Sequence, residues 1–260
     1  MMKFSVLSDG KAVNGYGSEH GLSFHIEVDQ KKFLFDTGAS DLFLRNAEKL
    51  GLDMAELDAI VLSHGHFDHG DGLQYIKGKP LVCHPGCFVK RYRKSGKGYL
   101  GLALSEEEIR KRFDLRTSLE PVQLSEHLFF LGEVPRENDF ESQHTKYQLE
   151  DGSEDFIRDD SGLACISEGR LLVFSGCAHS GICNMVEHAR KVTGVKQVHA
   201  VIGGFHLKMV DWQTKRTIVY LKELQVKHIY PSHCTQDPAL SRMVELFDGL
   251  VPTAGTQYVF

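Results

Sequence analysis

The sequence predicts an α/β protein. Short apolar runs of strand length recur along the 260 residues, stretches with helical spacing lie between them, and the alternation strand–helix–strand is found in both halves of the chain. Composition agrees: 42% hydrophobic and 25% charged residues are ordinary for a soluble globular protein, and a chain this long can bury a sizeable core without staples.

Taken in order, residues 22–28 alternate apolar and polar side chains as a half-buried strand does, Asp29-Gln30 makes a turn, and residues 32–36 read as the returning strand. Residues 41–50 have helical spacing, and Gly51 is a natural stop. Residues 57–62 form the next strand, 70–76 open a helix, and 79–83 make another short strand. The pattern breaks at 85–117, which reads as an insertion with a basic run at 90–97 and a helix introduced by the capping box Ser105-Glu106-Glu107-Glu108. A strand at 126–132 follows, and 136–160 reads as a polar, acidic connection between halves. Residues 163–166 and 170–175 form a second hairpin around Glu168-Gly169. A helix at 181–192, a strand at 197–203, a helix at 212–224 and a strand at 226–231 complete the series. No sequence repeat is visible, yet the second half echoes the first, and the expected organisation is one domain over 1–260 interrupted only by the insertion.

The net charge of −5 argues against a nucleic-acid binder, which would usually be basic. The N-terminus lacks the apolar run of a signal peptide, and no stretch approaches the roughly eighteen apolar residues of a membrane span, so the expected location is the cytoplasm. Six cysteines are too sparse for a disulfide scaffold. Cys83 and Cys87 flank His84 without a second pair to complete a zinc site, so they read as buried thiols.

Chemistry concentrates in Ser63-His64-Gly65-His66-Phe67-Asp68-His69-Gly70, directly after the apolar run 59–62. Imidazole and carboxylate suit zinc and its first-row neighbours. Side chains two residues apart on an extended segment point the same way, so His64 and His66 can reach one ion, while Asp68 and His69 lie beyond, where the chain turns. Three further histidines, His179, His206 and His233, each stand at or just past the end of an apolar strand beside small residues. In open α/β sheets ligands gather there, beyond the carboxyl ends of the strands. Counting ligands gives two divalent ions, one held by His64, His66 and His179, the other by Asp68, His69 and His233. Zinc is the first choice of metal, with manganese, iron and magnesium as alternatives. Three protein ligands per ion leave positions open for substrate, and two ions about 3.5–4 Å apart can clamp a phosphate. His206 is then the free imidazole, expected to contact substrate or transfer a proton, with completion of a metal shell as the alternative, which makes Asp68 and His206 the candidate catalytic residues. The turn Asp36-Thr37-Gly38 is expected to support the metal site from behind rather than form half of an aspartic-protease pair.

The run His64-Gly65-His66-Phe67-Asp68-His69, with Asp36-Thr37-Gly38 upstream, resembles the His-x-His-x-Asp-His signature of the metallo-β-lactamase superfamily. That resemblance implies a four-layer αβ/βα sandwich with the metals at one edge. Two-metal members usually carry a bridging Asp after a strand. Here the corresponding place reads Ser175-Gly176-Cys177-Ala178-His179, so either Cys177 replaces it or His179 takes over nearby. The usual third histidine of the first metal is missing from 131–136, with His144 a candidate further on, and His179 is assigned instead. The segments Gly132-Glu133-Val134-Pro135-Arg136, Ser175-Gly176-Cys177-Ala178-His179-Ser180-Gly181, Gly203-Gly204-Phe205-His206-Leu207 and Pro231-Ser232-His233-Cys234-Thr235 are together similar to a narrower group, the dihydropterin–ribofuranosylaminobenzene phosphate synthase-like proteins. This similarity implies joining a pterin methyl carbon to an aminobenzene ribose phosphate with loss of pyrophosphate. The substrate would then be an anionic small molecule, held by the metals with Arg136, His206 or the 90–97 run. Two other functions are carried alongside: a metallo-hydrolase of phosphodiesters or other small esters, and a non-catalytic metal or ligand sensor. A homo-oligomer is compatible with all three.

Overall fold

The structure, a computed structural model, describes residues 1–96 and 98–260. Among the described residues sixteen strands form three sheets: β1 (Lys3–Ser8), β2 (Ser23–Val28), β3 (Lys31–Phe35), β4 (Ala59–Val61), β5 (Pro80–Cys83), β6 (Arg91–Arg93), β7 (Asp114–Thr117), β8 (Val122–Gln123), β9 (Leu128–Phe130), β10 (Tyr147–Leu149), β11 (Glu154–Asp155), β12 (Gly162–Ser167), β13 (Arg170–Ser175), β14 (Val198–Gly204), β15 (His228–Ser232) and β16 (Gln257–Val259). The helices are α1 (Leu42–Lys49), α2 (Phe67–Gly70), α3 (Glu106–Arg112), α4 (Ile182–Thr193), α5 (Trp212–Glu223) and α6 (Ala239–Leu246).

The first large sheet runs β16-β1-β2-β3-β4-β5-β7 and the second β15-β14-β13-β12-β9-β8. Both are built alike. A tight antiparallel hairpin, β2-β3 or β12-β13, is continued by parallel strands, β4 and β5 or β14 and β15. The hairpins turn on Asp29-Gln30 and Glu168-Gly169, all four at positive φ, which matches the twist of the flanking strands.

Alternation along the strands builds the layers. Phe33, Phe35, Val61 and Val82 of the first sheet meet Phe174, Leu172 and Ile202 of the second in a shared inner core. Their neighbours Leu34, Ile60 and Leu81 point outward and bury under Phe43 and Ala47 of α1. On the other side Val173 and Val201 bury under Met185 and Val186 of α4 and Leu221 of α5. Two faces of each central strand are therefore covered, which is the αβ/βα sandwich.

The motif helix is shorter and earlier than the spacing suggests. It is the single turn α2, made from the motif residues themselves, followed by a 3₁₀ turn over Asp71–Gln74. The segment expected as an insertion divides. Ile109 and Phe113 bury on the outer face of the first sheet, so α3 and β7 rejoin it, with β7 parallel to β5. Between them β6 leaves the layers and pairs with β10, which pairs with β11, in a separate three-stranded flap. The 136–160 stretch is thus more than a connection, since it supplies two of the flap's strands. Lys97, part of the expected basic run, lies outside the described residues.

Candidate metal centre

β3, β4 and β5 run parallel in one sheet and β13, β14 and β15 in the other. Their carboxyl ends reach a common rim. Asp36 follows β3, His64 and His66 follow β4, Cys177 and His179 follow β13, His206 follows β14 and His233 follows β15. Asp36, Ala178, His206 and His233 all take positive φ, an uncommon backbone state for residues with a Cβ that concentrates at functional sites.

Six histidine and aspartate side chains named from the sequence meet there in two groups. Ligating atoms of His64, His66 and His179 lie within 4.8 Å of one another. His64 Nε2 and His66 Nδ1 face each other at 2.8 Å. In the second group His69 Nε2 is 3.0 Å from His233 Nε2, which is 3.4 Å from Asp68 Oδ2, and His69 Nε2 and Asp68 Oδ2 are 4.0 Å apart. The groups touch, since the His64 and His69 rings are 4.3 Å apart.

Asp36 fixes which ring nitrogens face inward. Its Oδ2 accepts from His69 Nδ1 at 2.7 Å and from the Ser63 hydroxyl at 2.7 Å, and its Oδ1 accepts the Ser63 N–H. Ser63 Oγ in turn accepts from His64 Nδ1 at 2.8 Å. With Nδ1 of both rings donating away from the centre, each Nε2 faces inward, and the neutral His64 presents its lone pair there. The backbone allows this closeness only because of two glycines. A Cβ on Gly176 would sit 2.0 Å from Ser63 Oγ, and one on Gly65 would sit 1.8 Å from the Cys87 carbonyl.

Burial pushes His64, His66 and His179 down, His66 to about 3, and the positive charge of His69 and Arg91 adds to it for all three, so they are neutral imidazoles. Burial opposes ionisation of both Asp68 and His69 as well. For Asp68, His69 and the hydrogen bonds from His20 and His233 outweigh it and hold the carboxyl well below the usual range. For His69, the Asp36 and Asp68 carboxylates raise the imidazole to about 9. His66 Nε2 and His179 Nε2 are buried with no hydrogen-bond partner. Orphaned imidazole nitrogens beside converging lone pairs and a carboxylate fit divalent metal of the zinc type.

A cavity of about 1020 Å³ opens onto these groups and is lined by His66, Asp68, His179, His206 and His233. His206 stands outside both groups, its ring 4.5 Å from that of His179, and burial together with Lys208, His233 and Lys146 lowers it to about 4. Arg93, Lys146 and Lys208 line the cavity mouth. None of these three has a carboxylate partner among the described residues, in contrast to Lys90 and Lys94, which pair with Glu150 and Glu154.

Arg136 is elsewhere. Its Nε donates to Ser142 Oγ and its Nη2 to the carbonyls of Phe156 and Ile157, so it ties the 136–160 segment together and is absent from the cavity wall. Arg91 of the basic run is likewise withdrawn from solvent. It is fully buried, paired to Asp159 at 2.7 Å and beside Asp155 at 3.4 Å, and Asp159 also accepts the Gly65 N–H at 2.8 Å. This network anchors the flap to the histidine loop. His144 lines the cavity without joining either group.

Two residues escaped the sequence reading. His20 reaches Asp68 Oδ2 at 3.2 Å and stacks on His233. Tyr147, on β10, lies over His66 and His179 with ring separations of 5.1 and 5.5 Å. Each is a single polar-flanked ring with no periodic or motif signal around it.

The family model of the metallo-beta-lactamase superfamily matches residues 17–156. A protein of Methanocaldococcus jannaschii, 7,8-dihydropterin-6-methyl-4-(beta-D-ribofuranosyl)-aminobenzene-5'-phosphate synthase, is 38% identical over 257 residues, covering 89% of this chain and 86% of that protein. An uncharacterized protein of the same organism is 37% identical over 254 residues, 93% of each chain. Among solved structures, Tm1679, described as a metal-dependent hydrolase of the beta-lactamase superfamily, aligns with a TM-score of 0.87 at 29% identity, over 100% of this chain and 99% of that one.

Proposed function

The chain belongs to the metallo-β-lactamase superfamily, and on that footing we propose that it is a two-metal enzyme that condenses a pyrophosphorylated dihydropterin with a ribosylated aminobenzene phosphate. His64, His66 and His179 hold one ion, and Asp68, His69 and His233 hold the other. When bound, the ions neutralise charge on the phosphate oxygens of the leaving group. The remaining work falls to the chain's own residues. Arg93, Lys146 and Lys208 supply unpaired positive charge at the cavity mouth for the two anionic partners. Tyr147 and Phe156 offer apolar faces for the flat pterin and benzene rings. In the reaction a carbon–nitrogen bond forms between the pterin methyl carbon and the arylamine, the carbon–oxygen bond to pyrophosphate breaks, and the arylamine loses a proton. His206, on the cavity wall but outside both histidine groups, takes that proton in this reading.

The observation that carries this reading is the pairing of a synthase-named relative at 38% identity with a cavity whose mouth holds three unpaired cations. A second reading, hydrolysis of phosphodiesters or other small esters, draws on the likeness to Tm1679. Zinc-loaded protein given a dihydropterin methyl pyrophosphate and the ribosylaminobenzene phosphate tests the choice. The condensed product with one pyrophosphate released per turnover is expected. Turnover of a phosphodiester panel with no condensation would replace the first reading by the second.

A further inference from the structure

Asp68 and His233 are braced less than His64 and His69. His69 Nδ1 is held by Asp36 and His64 Nδ1 by Ser63, whereas His233 Nδ1 is buried without a hydrogen-bond partner. The Asp68 carboxylate takes its side-chain hydrogen bonds from His20 and His233. His233 belongs to the second group itself, so His20 is the donor from outside it. Its Nε2 lies 3.2 Å from Asp68 Oδ2. The same ring stacks on that of His233, with centroids 5.2 Å apart and planes 22° from parallel. One imidazole thus supports both of the less braced side chains.

An exposed histidine on a connecting loop is ordinarily a solvated side chain, and that of His20 is 67% exposed. The chain around it, however, is gripped on both sides. Just before it, the Glu19 carboxylate accepts from Ser8 Oγ, the Ala39 N–H and Ser40 Oγ. Just after it, the Leu22 N–H donates to the Asp68 carbonyl, and the Leu22 carbonyl accepts from the Gly38 N–H. Gly21 is wedged between them, since a Cβ there would sit 2.9 Å from the Ala39 nitrogen and 3.0 Å from the Asp68 carbonyl oxygen. The turn after β3 and the helix α2 therefore fix the backbone that carries His20, and the ring forms part of the cavity wall.

Resting on the metal reading above, we propose that His20 is a positioning residue for the second ion. Its Nε2–H fixes the plane of the Asp68 carboxylate and its face fixes the ring of His233, so both side chains are aimed before the ion arrives. Less side-chain freedom is then lost on binding, which raises affinity for that ion. His20 stands outside the group of His64, His66 and His179, so the first ion gains nothing from it.

Zinc competition with a chelator tests this without recourse to turnover. His20→Phe keeps a ring to stack and removes the donor, His20→Gln keeps a donor, and both leave the Glu19 contacts in place. The unaltered chain is expected to hold two zinc ions. His20→Phe should bind one of them about 10–100-fold more weakly and the other as before, and His20→Gln should recover part of that loss. In His233→Ala, where the first group is left to hold zinc, adding His20→Phe should change nothing. Two ions held as tightly in His20→Phe, an equal loss at both sites, a loss in the His233→Ala background, or a Gln variant no better than Phe overturns the assignment of His20 alone. An unaltered chain that binds no zinc would instead sink the metal reading, and the role of His20 with it.

Discussion

Asp36 accepts three hydrogen bonds, and through them it orients His69 directly and His64 by way of Ser63. Asp36→Asn keeps the size but replaces an acceptor by a donor, so one ring must turn or lose its anchor. Zinc affinity should fall by about 10–100-fold in chelator competition, and unchanged affinity would show that Asp36 does not set the ring orientation. His25, remote from the rim, provides a separate test of the electrostatics. It is buried with neither ring nitrogen hydrogen-bonded, and burial holds it down at about 4 against an ordinary 6.5. Between those two pH values the folded chain binds fewer protons than the unfolded one, so stability falls as pH drops through the window. From pH 7 to 5 its share is about 2 kcal/mol. Denaturant unfolding of His25→Leu should show a pH loss smaller by that amount, and parallel pH curves for the two proteins would contradict it. Motif, strand ends and the family resemblance were enough to single out six side chains that meet at one rim, because their meaning lies in where strands end. They were not enough for Arg91 and Arg136. A basic residue reads as solvated unless its partners are known, and Asp155, Asp159 and the 156–157 carbonyls that hold these two are tens of residues away.

At the scale of elements, the flap formed by β6, β10 and β11 brings Tyr147 over the histidines, and Arg91 is its fastening. Removing that buried cation strands two carboxylates. Arg91→Met is therefore expected to lose about 3–5 kcal/mol and to admit protease cleavage within 136–160. Equal stability and an unchanged digestion pattern would mean that the flap is held by its strand pairing alone. The flap was invisible in the sequence because its strands are two or three residues long and mostly polar, with pairing supplied from distant segments. The long apolar strands and the two hairpins were visible for the opposite reason, since their alternation and turn residues are local properties.

For the whole molecule, two similarly built sheets share one aromatic interior, and their parallel strands deliver histidine and aspartate side chains from both halves to one rim. Phe174 is at the centre of that interior, edge-on to Phe4 and Phe24 at 5.4 and 6.3 Å. Phe174→Ala should cost about 3–5 kcal/mol of unfolding free energy, and a loss under 1 kcal/mol in chemical denaturation would mean that the sheets repack without it. The central claim is that this packing brings two metal-binding groups together, each drawn from both halves. Native mass spectrometry of the zinc-loaded protein tests it most directly. Two zinc ions per chain are expected in the unaltered protein, one in His179→Ala and one in His233→Ala. Full occupancy in both variants, or no zinc in the unaltered chain, would contradict the account.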